Sequence, residues 1–249
     1  MEISGRFRYA IMFYENYSQE HIMRRVLKSL VVILLLTAVG VPVYGVDLTA
    51  QDIFEGMVYY ENDQLEAAGL NDYHCICTQT GSRAMQVLEK DVYFMVPVYQ
   101  LHMYDGKPAY IFEPDAIITT LEIQTLDRLR DTKIGDVDCY VIRLTPFEAA
   151  FERYPSTHYV AKDDFRKIRT LNYASTDELD RVLKILDYTY SEVNGMMLLK
   201  TTVVKTEDEE GNLIHTVTAE YTDYEFDTGL TEQFFKQFDS DISINPSYN

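Results

Sequence analysis

The sequence predicts a mainly β fold: a curved antiparallel half-barrel of about nine to eleven strands, capped by an N-terminal helix and short helices. Apolar residues recur at helical spacing over Thr49–Tyr60, and the pattern then changes to alternation with period two. Turn signals such as Asp105-Gly106 and Asn194-Gly195 join the alternating segments as hairpins. Because a long run of twisted strands cannot stay flat, we expect the sheet to curl around an apolar cleft.

A targeting segment precedes this region. Met23 opens a unit with basic residues at Arg24, Arg25 and Lys28, followed by the apolar run Leu30–Leu36. Val43 and Gly45 are small enough for the two positions that signal peptidase inspects, and no charge follows the basic head until Asp47. We therefore predict a signal peptide over Met23–Gly45 and a periplasmic or otherwise exported chain.

Two other readings of this segment are a retained membrane anchor and a buried element. A membrane helix needs about 20 apolar residues, and Gly40 and Pro42 interrupt the run early. Residues 1–22 have no role in the signal-peptide reading, so we expect them to be an extension from a start codon assigned too early. The remainder, residues 46–249, shows no linker or internal repeat and is expected to form a single domain.

The charge balance restricts the classes of partner. The whole chain has 22 basic and 40 acidic residues, a net charge of −18. Residues 1–45 contain five basic and three acidic residues, so their removal changes the net charge from −18 to −20. Such a surface repels phosphate backbones, so we expect no nucleic-acid partner. It is also typical of a soluble protein that contacts envelope membranes only transiently.

The individual elements follow from local patterns. Thr49 and Asp52 have the spacing of a capping box at the start of the first helix. Pro97 indicates an edge or a bulge within a long strand. Leu121–Arg130 alternates poorly and is predicted as a short helix that helps to cover the sheet, and Phe147–Arg153 as a helical turn. The predicted strands are Tyr73–Thr80, Ala84–Leu88, Val92–Tyr104, Pro108–Phe112, Asp138–Leu144, Thr157–Ala161, Lys167–Tyr173, Val182–Glu192, Met196–Lys205 and Leu213–Phe226.

The cysteines allow one disulfide in an exported protein. Cys75 and Cys77 are two residues apart, so they share one face of their strand, and either could pair with Cys139. His74 would point to the opposite face from these two thiols, and no further cysteine or histidine pair completes a tetrahedral metal site. We predict no metal site and no cofactor.

No pattern in the sequence indicates catalysis. His74, His102, His158 and His215 lie in no nucleophile-elbow, metal-helix or phosphate-loop motif. The carboxylates lie mostly in turns, where solvation explains them. We therefore predict no catalytic residue and no enzymatic activity.

Apolar and aromatic side chains in the strands are the candidate ligand-binding residues. They are either ordinary core or the lining of a lipid-facing cleft, and alternation alone does not distinguish these readings. Burial of hydrocarbon in such a cleft is favourable by about 0.8 kcal/mol per methylene. The predicted lining, chosen by strand alternation and by the apolar helix face, is Ile53, Met57, Phe94, Val96, Val98, Tyr140, Ile142 and Leu144.

Four segments resemble one protein family. The segment LTAQDIFEGM at 48–57 follows the leader, and VDCYVIRLTP at 137–146 ends in Leu-Thr-Pro. YVAKDDFRKI at 159–168 places a Lys-Asp pair in a turn, and YEFDTGLTEQFF at 224–235 closes the chain. Their order and spacing are similar to those of the bacterial outer-membrane lipoprotein-sorting (LolA-like) carriers.

The resemblance implies a half-barrel that shelters acyl chains without enzymatic activity, with lipoprotein acyl chains or another lipid as partner. This reading predicts an exported lipid or lipoprotein carrier that acts in outer membrane lipoprotein sorting. The alternative is an envelope sensor or a protein-docking module built on the same half-barrel. An exported enzyme is a third reading, for which no residue can be named.

Overall fold

The computed structural model describes residues 47–82, 87–96, 99–112, 123–146, 155–175 and 178–238. These residues contain three helices and eleven strands. The helices are α1 (Ala50–Val58), α2 (Tyr60–Ala68) and α3 (Glu232–Lys236). The strands are β1 (Asp72–Gly81), β2 (Val87–Met95), β3 (Tyr99–Tyr104), β4 (Lys107–Phe112), β5 (Ile123–Ile134), β6 (Val137–Pro146), β7 (Ser156–Ala161), β8 (Lys167–Tyr173), β9 (Val182–Val193), β10 (Met196–Glu207) and β11 (Leu213–Phe226).

All eleven strands belong to one antiparallel sheet that is not closed into a barrel. Its order is β4-β3-β2-β1-β11-β10-β9-β8-β7-β6-β5, so β4 and β5 are the two edges. Neighbours along the chain are neighbours in the sheet, except that β1 pairs with β11 and β4 does not pair with β5. The predicted fold class and the predicted number of strands are confirmed.

Two hairpins have the turn geometry that their sequences predict. In the β3–β4 turn Asp105 has φ 48° and Gly106 has φ 71°. In the β9–β10 turn Asn194 has φ 50° and Gly195 has φ 80°. Two consecutive residues with positive φ match the right-handed twist of the paired strands, which is why Asp-Gly and Asn-Gly are favoured there.

The N-terminal helical region consists of two helices instead of one. The predicted capping box is present, because Asp52 N donates to Thr49 Oγ1 and Thr49 N donates to an Asp52 carboxylate oxygen. The helix ends at Val58, Tyr59 has φ −91° and ψ 8°, and a second helix begins at Tyr60.

Two predicted elements were wrong. Val92–Tyr104 is not one long strand: β2 and β3 pair with each other, Asp91 opposite Met103 and Met95 opposite Tyr99. Pro97 lies between them, outside the described residues. Most of the segment predicted as a short helix at Leu121–Arg130 lies in strand β5, which begins at Ile123 and pairs with β6. The segment forms a strand despite its weak alternation, because it pairs with β6 along the whole length of that strand.

Some predictions fall partly or wholly outside the described residues. Of the predicted strand Ala84–Leu88, only Val87 and Leu88 are described, and they begin β2. The helical turn predicted at Phe147–Arg153 and the signal peptide predicted at Met23–Gly45 both lie outside the described residues. In the part of the chain that the structure describes, no helix is both long and apolar enough to cross a membrane.

The sheet has two differently covered faces. Helices α1 and α2 lie on one face, which we call the inner face; Cys75 and Phe94 point to it and pack with Leu65 of α2. Helix α3 lies on the opposite, outer face, where Phe235 is fully buried against Tyr99 and Leu101 of β3. Both Phe234 and Phe238 join Phe235 in an aromatic cluster.

A buried carboxylate fixes the segment that leads to α3. Asp72, which is 3% exposed, accepts hydrogen bonds from Thr228 N (2.6 Å) and Thr228 Oγ1 (2.7 Å). Its other carboxylate oxygen accepts from the backbone N–H groups of Gly229 and Leu230, both at 3.2 Å. Four donors therefore compensate the burial of this carboxylate.

Candidate functional site

The first part of the candidate site is an apolar layer between α1 and the sheet. Three side chains of α1, Ile53, Phe54 and Met57, pack against Ile142, Leu144 and Val160 of β6 and β7. Ile53 and Ile142 are fully buried. The apolar face of the amphipathic helix therefore lies directly on alternate residues of β6, as the spacing predicts. We call this set of side chains the helix-covered cluster.

A glycine allows α1 to approach the β7–β8 turn. A Cβ atom on Gly56 would lie only 2.7 Å from Cγ of Phe165. Phe165 has φ +67°, a left-handed conformation that bulky residues rarely adopt, and its ring stacks against Tyr140 with centroids 6.1 Å apart. The turn thus holds an aromatic ring against α1 at the edge of the helix-covered cluster.

Arg128 of β5 connects the start of α1 to the sheet. Its Nη1 atom donates to the backbone carbonyl of Leu48 at 2.8 Å, and its guanidinium lies 4.7 Å from the centroid of the Tyr140 ring. Its Nη2 atom binds one carboxylate oxygen of Asp131, and Lys162 Nζ lies 2.6 Å from the other. Burial opposes the charge of Asp131, but these two cations outweigh it and lower the pKa of that carboxyl group.

The predicted lining residues do not form one group. Ile53, Met57, Ile142 and Leu144 belong to the helix-covered cluster, and half-buried Tyr140 packs against it. Phe94 instead belongs to a second cluster under α2, which half-buried Val96 also contacts. The eighth residue, Val98, lies outside the described residues. The ligand-binding role of these residues stays a prediction.

The second cluster under α2 is rich in tyrosines that sequence reasoning did not single out. Tyr73 donates a hydrogen bond of 3.0 Å to Glu61 of α2 and stacks on Phe94 with centroids 5.2 Å apart. Tyr60 donates to the carbonyl of Met197 at 2.7 Å and meets the ring of Tyr190 edge-on. Burial raises the pKa of Glu61 and of these tyrosines, so the region favours neutral groups.

A third part of the inner face is polar. Ser156 Oγ lies 2.9 Å from His158 Nε2, and Thr170 Oγ1 lies 3.0 Å from His158 Nδ1. Tyr188 donates to Thr170 Oγ1 at 3.4 Å, and Lys167 Nζ lies 5.2 Å from the centroid of the Tyr188 ring. This network crosses β7, β8 and β9 next to the helix-covered cluster, because His158 is paired with Ile142 of β6.

Lys184 extends this polar region along the same face. It pairs with Asn172 of β8, which in turn pairs with Ser156, so all three side chains share one face. Burial lowers the pKa of Lys184. We call the residues Ser156, His158, Lys167, Thr170, Asn172, Lys184 and Tyr188 the polar strip.

His158 is a neutral base within the strip. Burial, with a further contribution from the charge of Lys167, lowers the pKa of His158 to about 3. A neutral imidazole has one donor and one acceptor nitrogen, so both ring nitrogens can be satisfied by the two hydroxyl groups beside them. The signal for the strip in the sequence is the alternation of Lys184, Leu186 and Tyr188 on one face of β9, where a lysine interrupts an otherwise apolar face.

The disulfide that the sequence allows is not formed among the described cysteines. Cys75, Cys77 and Cys139 are buried free thiols. Cys75 and Cys77 lie on the inner face of β1, whereas Cys139 lies on β6, and five strands separate β1 from β6 in the sheet. That separation far exceeds the roughly 4.4–6.8 Å between Cα atoms that a disulfide needs. Burial raises the pKa of Cys75, which disfavours the reactive thiolate.

The described residues offer no metal centre, and a further concavity that they form is shallow. No group of three histidine, cysteine or acidic side chains that could hold a metal ion occurs among the described residues. A shallow groove of about 320 Å³ lies on the outer face between β1 and β11, on the opposite side of the sheet from α1 and α2. It is lined by Thr78, Thr80, Gly81, Ser82, Thr216, Thr218 and Glu220.

Comparison with solved structures identifies the fold. The chain superposes on a LolA superfamily protein from Nitrosomonas europaea with a TM-score of 0.50 and 16% identity, over 76% of this chain and 97% of that one. It also superposes on a protein from Vibrio parahaemolyticus described as an outer membrane lipoprotein-sorting protein domain. There the TM-score is 0.52 and the identity 13%, over 74% of this chain and 97% of that one. The resemblance predicted from the four motifs is confirmed at the level of the fold.

Comparisons of the sequence alone give less information about the family than the comparison of structures does. A family model described as that of an uncharacterized protein matches residues 117–238. No curated protein matches the chain. The comparison of structures thus shows a LolA-like fold. At identities of 13–16% the likeness concerns the fold alone, and any ligand is specified by the residues of the site.

Proposed function

We propose that this protein is an exported, non-enzymatic carrier that shelters acyl chains, of a lipoprotein or another lipid, against the inner face of its sheet. The observation that carries the proposal is the helix-covered cluster, where a nine-residue amphipathic helix lies on apolar β6 and β7 residues of an open sheet. Its fold is one that a lipoprotein-sorting protein domain also has. The leader at Met23–Gly45 supports export to the periplasm.

The energetics allow an acyl chain to take the place of α1 side chains on the sheet. Burial of Ile53, Phe54 and Met57 contributes roughly 1.5–3 kcal/mol each, or about 5–9 kcal/mol together. A chain of about ten methylenes gains about 8 kcal/mol on the same apolar surface. Because the two quantities are comparable, a ligand can exchange with the helix at small net cost, which a carrier that later releases its ligand requires.

The proposal is tested with an uncharged alkyl probe and two matched variants. Ile142→Phe fills the helix-covered cluster from the inner face, whereas Val141→Phe adds bulk on the outer face of the same strand, where Val141 is 4% exposed. We expect Ile142→Phe to weaken binding of a fluorescent alkyl probe about tenfold or more, and Val141→Phe to leave it unchanged. Urea unfolding confirms that both variants fold.

A second measurement reads the native ligand. Native mass spectrometry of the protein purified from an envelope is expected to show added mass that organic extraction removes as lipid. If the protein binds no probe and releases no lipid, the carrier proposal is wrong. Recovery of one stoichiometric protein partner without lipid would instead support a sensor or docking module. Export is checked by N-terminal sequencing, which should begin near Val46.

A further inference from the structure

The polar strip lies where an apolar ligand alone would not need it. Ser156 and Thr170 are buried, at 7% and 4% exposed, on the face that also carries Ile142 and Leu144. Burial of a hydroxyl group costs free energy unless it is hydrogen-bonded, so a surface made only for hydrocarbon would have apolar side chains here. The strip therefore requires an explanation beyond acyl-chain binding.

The hydrogen bonds within the strip leave one donor over. Tyr188, Thr170, neutral His158 and Ser156 together carry four polar hydrogens, and three hydrogen bonds connect them. If His158 is protonated at Nε2, the remaining hydrogen is on Ser156; if at Nδ1, it is on Thr170. In either tautomer one hydroxyl group can still donate to a ligand oxygen.

Two lysines place positive charge at the ends of the strip. Lys167 lies against the Tyr188 ring, and its charge lowers the pKa of His158, which places it close to that imidazole. The charge of Lys167 also acts to lower the pKa of Glu61 in α2, although burial outweighs it and the two side chains form no ion pair within 4 Å. Lys184 lies at the other end and has no ion pair with any carboxylate among the described residues.

Several other cations of this strongly acidic chain do have carboxylate partners. Arg169 and Lys205 both bind Asp187 on the outer face, and Arg166 binds Asp164. The pKa of Asp187 is lowered because these two bonds outweigh the effect of burial. In a chain with 40 acidic residues, a half-buried lysine that lacks a carboxylate partner is suited to an anion that is not part of the chain.

We propose that the polar strip binds the anionic end group, a carboxylate or a phosphate, of an amphipathic ligand whose hydrocarbon chain lies against the helix-covered cluster. This inference rests on the proposed carrier function and names the class of ligand. Lys184 supplies the charge, and Ser156 or Thr170 donates the spare hydrogen bond. Leu144, Ser156, Asn172 and Lys184 lie in one row across four strands, roughly 14 Å at about 4.8 Å per strand, so one extended ligand can contact both regions.

The net charge of the protein does not prevent this binding. Repulsion between an anionic ligand and the acidic surface is screened over about 8 Å at physiological ionic strength. A lysine in direct contact with the anion acts at a shorter distance and in a less polar environment, where its attraction is stronger. The local cation therefore outweighs the distant acidic residues.

The test compares two probes that share one hydrocarbon chain and differ in their end group, an anionic carboxylate or an uncharged methyl ester. We expect the full chain to bind cis-parinaric acid about tenfold more tightly than its methyl ester. Lys184→Gln, which removes the charge and keeps a polar end on the side chain, should weaken binding of the acid about tenfold and leave binding of the ester unchanged. The matched control is Lys200→Gln, because Lys200 is an exposed lysine of the neighbouring strand β10 and should affect neither probe.

The outcomes separate this inference from the function on which it rests. Equal affinity for the acid and the ester overturns the anion site but leaves the carrier proposal intact, while binding of neither probe overturns both. If Lys184→Gln does not fold, the salt dependence of binding tests the proposal with the unmodified protein. Raising the sodium chloride concentration should weaken binding of the acid and leave binding of the ester unchanged. Competition by hexadecanoate and by hexadecyl phosphate then distinguishes a carboxylate from a phosphate, and displacement by neither contradicts the proposal.

Discussion

The contact between Gly56 and Phe165 gives a quantitative prediction about how α1 is held on the sheet. In an isolated helix, Gly56→Ala would add about 1 kcal/mol of stability, because alanine is the better helix former. Here the new Cβ would lie 2.7 Å from Cγ and 2.8 Å from Cδ1 of Phe165, well inside ordinary contact. Overpacking of this kind costs about 1–3 kcal/mol. We therefore expect a net loss of about 1 kcal/mol.

Relief of the clash is expected to be limited because the backbone of Phe165 is already constrained. The residue has φ +67° and its ring packs on Tyr140, so the ring can move away only if the β7–β8 turn shifts. The predicted loss for Gly56→Ala thus reports the fit between α1 and this turn and not an intrinsic property of the helix.

A double-mutant cycle provides the assay and its control. In a Phe165→Ala protein the clash is absent, so Gly56→Ala should raise the free energy of unfolding by about 1 kcal/mol. The coupling between the two positions is then about 2 kcal/mol, measured by urea denaturation with unchanged m-values. If Gly56→Ala stabilises both proteins equally, the close approach of α1 to Phe165 does not limit packing, and the reasoning fails.

Two further predictions concern buried polar groups. The pKa of His158 is about 3 in the fold and about 6.5 when unfolded, so the unfolded chain binds more protons between these values and stability falls as pH falls. Lowering the pH from 7 to 5 should cost about 1–2 kcal/mol through this residue, and urea titrations should show a weaker pH dependence for His158→Gln; an unchanged dependence contradicts the assignment. Asp72→Asn removes the charge that four donors bind and should cost about 2–3 kcal/mol by thermal unfolding. Exposed Asp227→Asn, whose amide oxygen can still accept from Asn71 N, should cost less than about 1 kcal/mol. Equal losses would contradict the role of the buried Asp72 carboxylate.

Local patterns determined much of the fold. The capping box at Thr49, the Asp105-Gly106 and Asn194-Gly195 turns and the bounds of β11 are properties of short segments, so they could be predicted from the sequence. The alternation on β6 likewise placed Ile142 and Leu144 on one face, under α1. The four family-like motifs also pointed to the LolA-like fold, which the comparison with solved structures shows.

Other features depended on which strands pair. Val92–Tyr104 reads as one strand because both halves alternate, and only the pairing of β2 with β3 shows that the chain reverses within it. Leu121–Arg130 alternates weakly, yet β6 provides hydrogen-bond partners that make the segment from Ile123 a strand. Propensity is a weak guide where a neighbouring strand is available.

What the sequence alone determined about this protein is most of its strands, the geometry of its two Asp-Gly and Asn-Gly turns and its acidic character, because each arises from residues close together in the chain. Only the tertiary structure decided that Cys139 lies far from Cys75, that Phe94 and Ile142 belong to different clusters, and that Lys184 joins His158 on one face. The physical reason is that these relations depend on strand order and register, which bring together residues that no local pattern connects.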